Sequence, residues 1–273
     1  MEQQERYHGL DFVRAMAMLL GLVLHVCIFF MPVDNYLWVS GEYSGDPVNR
    51  WLLNFIHLFR MELFFFMAGF FAELVIFRKG FGNLLKDRTK RIVLPFIFAV
   101  LFMVPLHYFV INVNSFYSST LDGYGFFERY KVLFFWGAFA DKPIYDRTDI
   151  LAHYWFMYYL IVIYLFHFIL RPIVNFVLQN KALNRFWAFC LKSPYGVFLL
   201  GLVSLPFQYS LTDLFFPPSG YDAPVLDIAF YGLYYVAGIL LFKSRALLKH
   251  LASNCWFYFF ASIPFFIFLD TPI

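Results

Sequence analysis

Leu10-Asp11-Phe12-Val13-Arg14-Ala15-Met16-Ala17-Met18-Leu19-Leu20-Gly21-Leu22-Val23-Leu24-His25-Val26-Cys27-Ile28-Phe29-Phe30-Met31 decides the fold. About 20 mostly apolar residues are needed to cross a bilayer as a helix. This run has that length, and only Asp11, Arg14 and His25 interrupt it with polar groups. It is too long for the apolar core of a signal peptide, and no small-residue cleavage site follows, so it reads as a retained signal anchor. Six more apolar runs follow near 51–77, 92–111, 151–170, 195–212, 225–242 and 251–269. Each reads as a transmembrane helix, separated by prolines and short polar stretches.

The 273 residues are 62% hydrophobic, 24% aromatic and 14% charged. Soluble domains carry about 45–50% apolar and about 25% charged residues, and one soluble core of this length could not hide so much apolar surface. Disorder, a disulfide scaffold and an ordinary cytosolic enzyme are excluded. The expected fold is an all-α polytopic transmembrane bundle of about seven spans, a single membrane-embedded domain over 1–273. Cys27, Cys190 and Cys255 are scattered and odd in number, which argues for packing roles rather than disulfides or a metal cluster. No metal is expected, and the modest net charge of +3 goes with no nucleic-acid partner. Residues 112–150 are too polar to span as a whole, and their aromatic middle, 126–139, reads as interfacial or re-entrant.

Orientation follows from Lys and Arg. Loops 1–14, 78–91, 171–192 and 243–250 hold 15 of them, against 5 in 32–50, 112–150 and 213–224. That bias puts the N-terminus in the cytoplasm.

Charge at the bilayer centre costs about 2.5–3.5 kcal/mol on insertion scales, so polar residues inside the runs are candidates for function. Arg14 and His25 are eleven residues apart, which returns a helix to within about 20° of the same face and about 16 Å along its axis. Gly21 lies on that stripe and admits a close neighbour. Asp11 can pair with Arg14 one turn away. Two readings stand side by side here: a functional face, or a snorkelling topology anchor with an interior hydrogen-bonding histidine. On the second run His57, Arg60, Phe64 and Ala68 form one stripe, and Glu62, Gly69 and Glu73 another. Arg60 and Glu62, two apart, face different ways. Arg60 therefore looks to another helix, a carbonyl or a bound anion, unless it belongs to a structural ion pair. The basic segment from Arg78 to Arg91 suits anionic lipid, or phosphate held by guanidinium forks. His153 and Trp155 open the fourth run and suit either an aromatic belt or a sugar-stacking site.

Taken together and in order, four segments resemble the integral-membrane acyltransferase 3 family. They are Arg14 with His25 ten residues between, Phe64-Phe65-Phe66-Met67-Ala68-Gly69-Phe70-Phe71, Arg88-Thr89-Lys90-Arg91, and His153-Tyr154-Trp155-Phe156-Met157-Tyr158-Tyr159-Leu160. Ala68 stands where Ser is common. The wording around His57–Phe71 is similar to the glucan-biosynthesis C branch, which succinylates periplasmic glucans. The resemblance implies acyl transfer (acetyl or succinyl) from cytoplasmic acyl-CoA to a hydroxyl of an extracytoplasmic glycan, at the inner membrane. It implies His25 as general base and Arg14 as a donor-phosphate contact or helix anchor. Arg88 and Arg91 would hold the CoA phosphates. Arg60 would hold an acyl oxyanion or a distal carboxylate. His153 and Trp155 would shape the acceptor side, with Glu62 a further substrate-binding residue. Direct transfer and an acylated protein intermediate both stay open. The family usually has about ten spans, so the chain reads as C-terminally incomplete. Competing expectations are a transporter or flippase for a lipid-linked sugar or an anion, and an inactive fragment or assembly subunit.

Overall fold

A computed structural model describes residues 7–29, 47–104, 106–107, 125, 127–128, 151–209 and 224–269, and every regular element named among them is helical. Residues 112–150, with the expected interfacial segment, lie almost wholly outside the described residues.

Helix α1, His8–Phe29, turns Ala17, Gly21, Leu24 and Ile28 inward and Phe12, Leu22 and Val26 outward. Those two stripes follow the helical period. Phe12 and Leu22 are 64% and 66% exposed, a surface suited to lipid rather than water. Helix α2, Pro47–Lys79, runs 33 residues with Arg60 and Glu62 inside it. It stops at Gly80, whose φ of 83° is the left-handed conformation glycine tolerates, and the Gly80 N–H donates to the Ile76 carbonyl.

Helix α3, Phe81–Arg88, continues through two π turns, Thr89–Val93 and Ala99–Met103, on either side of α4, Leu94–Phe98. Pro95 lies at the start of α4. Proline lacks an N–H and crowds the preceding turn, so the helix widens around it instead of breaking. After a 3-10 turn, Ala152–Tyr154, come α5, Trp155–Ile169, α6, Arg171–Gln179, and α7, Lys181–Lys192. Asn180 caps α7 by accepting from the N–H groups of Ala182 and Leu183 at 2.9 and 3.2 Å. Pro194 holds Ser193 extended. The chain turns there into α8, Gly196–Tyr209, with Gly196 pressed on the Cys190 backbone. Helix α9, Val225–Lys243, follows, then α10, Leu248–Ser253, and α11, Cys255–Leu269.

The described parts of all seven apolar runs are helical. His8–Ile28 and Val225–Lys243 are each long and apolar enough to cross a membrane, and Lys181–Lys192 with Gly196–Phe207, bent by 119°, makes a third if the pair is one span. The run expected at 195–212 is thus the second arm of a bent pair. The runs at 151–170 and 251–269 contain helices of 15 residues each.

The centre of the molecule is α2 packed along α9. A Cβ at Gly69 would collide with the Tyr235 carbonyl, and one at Gly238 with the Phe66 carbonyl. Two glycines facing opposite backbones let the helices touch, which favours van der Waals packing in lipid. Phe65, Phe70, Tyr159, Tyr164, Phe230, Tyr231 and Tyr235 fill the core around this contact. A smaller cluster of Leu24, Cys27, Ile28, Leu53 and Ile56 joins α1 to α2.

Candidate active site

The end of the bundle away from the basic segment collects three imidazoles and a guanidinium. His25 comes from the last two turns of α1. His107 comes from the far end of the segment that starts at Phe81, and His153 from the 3-10 turn before α5. The His153 ring centroid lies 5.8 Å from that of His25 and 5.9 Å from that of His107, both edge to face. Tyr154 lies against His153 at 4.0 Å.

Arg60 reaches this group because Gly21 has no side chain. A Cβ there would lie 3.2 Å from Arg60 Cζ and 3.3 Å from Nη2. The guanidinium is half-buried, it lies near His25 one turn further along α1, and it has no carboxylate partner among the described residues. A cation beside a neutral base is an arrangement that can hold an anionic oxygen while the base takes a proton.

Glu62 points to the other side of α2, as its two-residue offset from Arg60 requires. Its Oε2 is buried with no hydrogen-bond partner among the described residues, and Glu62 lies near Tyr231 and Tyr234 of α9. Trp155 shares this side, with its ring 5.5 Å from Tyr231 and 5.1 Å from Tyr159. Asp227, 1% exposed, also acts on Tyr159 and Tyr231. The residues picked from sequence therefore fall into two adjoining groups: His25, Arg60 and His153 in one, Glu62 and Trp155 in the other.

Arg14 is not part of either. It is 53% exposed, 3.6 Å from Asp11 and stacked 4.9 Å over Phe71. Arg88 and Arg91 share Asp87 rather than standing free. Arg88, 16% exposed, lies 3.4 Å from Asp87 and 5.4 Å over the Tyr164 ring, and its buried Nε has no hydrogen-bond partner among the described residues. Arg91, 76% exposed, bonds Asp87 at 2.8 Å. One guanidinium of the pair points inward and the other outward.

Sequence reading missed His107, Asp227 and the partners of Glu73. Asp227 and His107 had a signal, since each is a polar residue inside an apolar run. Glu73 pairs with Arg171, through Nη1 to Oε1 and through Nη2 to Oε2 at 3.3 Å. Arg171 Nη1 also donates to His167 Nε2 at 2.7 Å, and His167 Nδ1 lies 2.7 Å from the Tyr235 hydroxyl. A guanidinium only donates, so Nε2 is the acceptor and Nδ1 donates to Tyr235. This chain of contacts ties α2, α5, α6 and α9 together. Among the described residues no group of His, Cys, Asp or Glu could hold a metal ion.

Apolar helices surround a cluster of imidazoles with a guanidinium at one end of an all-α bundle. The chain belongs to the acyltransferase 3 family: that family's model, described as an acyltransferase domain, matches residues 7–271. It is similar to glucans biosynthesis protein C of Escherichia coli (strain SMS-3-5 / SECEC), 25% identical over 161 residues, 58% of this chain and 37% of the relative. The proteins of that name from Escherichia coli O1:K1 / APEC and O157:H7 (strain EC4115 / EHEC) are 24% identical with the same coverage. The match thus spans little more than a third of these relatives' length. No solved structure matches the chain significantly. The chain is thus an all-α member of that family, with helices long and apolar enough to cross a membrane.

Proposed function

We propose that the protein moves a short acyl group, acetyl or succinyl, from cytoplasmic acyl-CoA to a hydroxyl of an extracytoplasmic glycan. The observation that carries this reading is the Arg60 guanidinium seated over Gly21 beside His25. An alcohol is a poor nucleophile and needs a base whose charge changes near neutral pH, which is the property of imidazole. In the reaction the hydroxyl oxygen attacks the thioester carbonyl carbon, and His25 takes the hydroxyl proton. The C–O bond forms, the oxyanion rests on Arg60, and the C–S bond then breaks to release thiolate. For a succinyl group Arg60 would instead hold the distal carboxylate.

Glu62 and Trp155 form the acceptor side in this reading. A buried carboxylate oxygen with no hydrogen-bond partner among the described residues suits a sugar hydroxyl, and an indole face suits a sugar C–H face. His153 lies against His25 and two residues before Trp155. Arg91 and Arg88 hold the donor's phosphates at the basic end, where Arg14 acts as an anchor. The bias of 15 against 5 basic residues supports that end as cytoplasmic, in an inner membrane with the N-terminus inside. The names of the similar Escherichia coli proteins support a glucan as acceptor.

The test uses proteoliposomes with radiolabelled acyl-CoA on one side and a linear glucan on the other. Labelled glucan in the second compartment supports the reading. Movement of sugar or anion without acyl-CoA consumption contradicts it and favours a transporter.

A further inference from the structure

Three histidines from three separate segments meet at one end of the bundle, yet proton removal needs only one. His25 does not finish its task by taking a proton. As imidazolium it stands beside Arg60, and two like charges in a low-dielectric site repel strongly. The proton must leave before the next hydroxyl binds. Imidazole is the side chain suited to pass it on, because one ring nitrogen accepts while the other donates. His153 lies within reach of both neighbours, at 5.8 Å from His25 and 5.9 Å from His107 between ring centroids. Those centroid separations leave room for one bridging water, through which a proton can pass between imidazoles. The two contacts place His153 between the other rings, and His107 is the member furthest from Arg60 in this chain of contacts. Among the described residues, Arg60 lies beside His25 and Tyr154 lies against His153.

We propose that His107 and His153 are positioning residues that drain the proton from His25 after it deprotonates the acceptor hydroxyl. The inference rests on the acyl-transfer reading. The balance is simple: the hydroxyl proton passes from His25 to His153 to His107 and out to water. The departing thiolate takes a proton from water, so thioester plus alcohol gives ester plus thiol.

The experiment compares wild type, His107→Gln and His107→Ala in the full chain in nanodiscs, with acetyl-CoA or succinyl-CoA and a linear glucan. The relay predicts KM values within about twofold, kcat lowered about tenfold, and a displaced acid limb of the kcat–pH profile. It also predicts that added imidazole restores turnover to His107→Ala. Unchanged kcat and pH profile in His107→Gln overturn it, as does a loss that imidazole does not rescue in a folded protein. A second readout needs no acyl chemistry: the 15N resonances of His25 in wild type and in His107→Gln. A His25 titration midpoint that moves when His107 is replaced supports the relay. A midpoint that stays overturns it. If wild type transfers neither acyl group, the acyl-transfer reading falls and takes the relay's role with it. Coupled midpoints without any kinetic effect overturn the relay alone.

Discussion

The imidazole rings of His25 and His153 stand edge to face with centroids 5.8 Å apart, joining the end of α1 to the start of α5. Each of these residues sits near a second function. His25 lies beside Arg60, and two residues past His153 stands Trp155, packed on Tyr231 near Glu62. The contact therefore links the base to the acceptor side of the proposed site. Replacing His153 by Gln is expected to lower kcat and raise KM for the glucan, while KM for acyl-CoA stays within about twofold. Steady-state kinetics with each substrate varied in turn will show the split.

Gly21 holds the door for Arg60. A methyl group at 3.2 Å from Cζ moves the guanidinium rather than the backbone. Gly21→Ala should therefore leave thermal stability nearly unchanged and cost turnover about tenfold or more, since one misplaced oxyanion donor costs about 10²–10³ in kcat. Nanodisc Tm and kcat, measured on the same sample, separate these effects.

Gly238 and Gly69 should respond differently. Their Cβ atoms would meet backbone carbonyls, which cannot swing aside. Gly238→Ala is expected to destabilise by about 1–3 kcal/mol, the usual cost of overpacking. Gly232, on the same helix α9 with nothing within 4 Å, is the control. Gly232→Ala should be neutral or slightly stabilising by helix propensity.

Glu73 and Arg171 are expected to behave as a coupled pair. Removing one partner of a buried ion pair costs about 3–5 kcal/mol because the other is left uncompensated. Arg171→Met should destabilise strongly, and adding Glu73→Gln should recover much of the loss. A double-mutant cycle by thermal unfolding in detergent reads the coupling directly.

Asp87 competes with any phosphate for Arg88 and Arg91. Asp87→Asn should lower KM for acyl-CoA, and Arg91→Ala should raise it with little change in stability because the residue is exposed. Arg88→Ala should cost stability as well, because its guanidinium stacks over Tyr164.

Helical period and composition made much of this legible in advance. The lipid-facing all-α fold follows from the runs themselves. The divergence of Arg60 and Glu62 follows from two residues at 100° each, and the close approach at Gly21 from its lack of a side chain. What stayed hidden depends on packing between distant segments. Nothing in the local sequence says that Arg60 would choose Gly21, or that Glu73 would find Arg171 and His167. Arg14 and His25 share a stripe of α1 with about 16 Å of helix between them, and the local sequence does not show that Arg14 stacks over Phe71. Pro194 was visible as punctuation, but the sharp bend it sets between α7 and α8 depends on Gly196 pressing on Cys190. His107 sits near the end of an apolar run, and nothing in its local sequence points to His153.

The central claim is that His25 is the base for acyl transfer. The most direct measurement is radiolabelled acyl-group incorporation into a linear glucan by purified wild type and His25→Ala, reconstituted at equal, verified membrane insertion. Loss of about 10²-fold or more in the variant, the usual contribution of general base catalysis, is the expected result. Equal incorporation by the two proteins would contradict it.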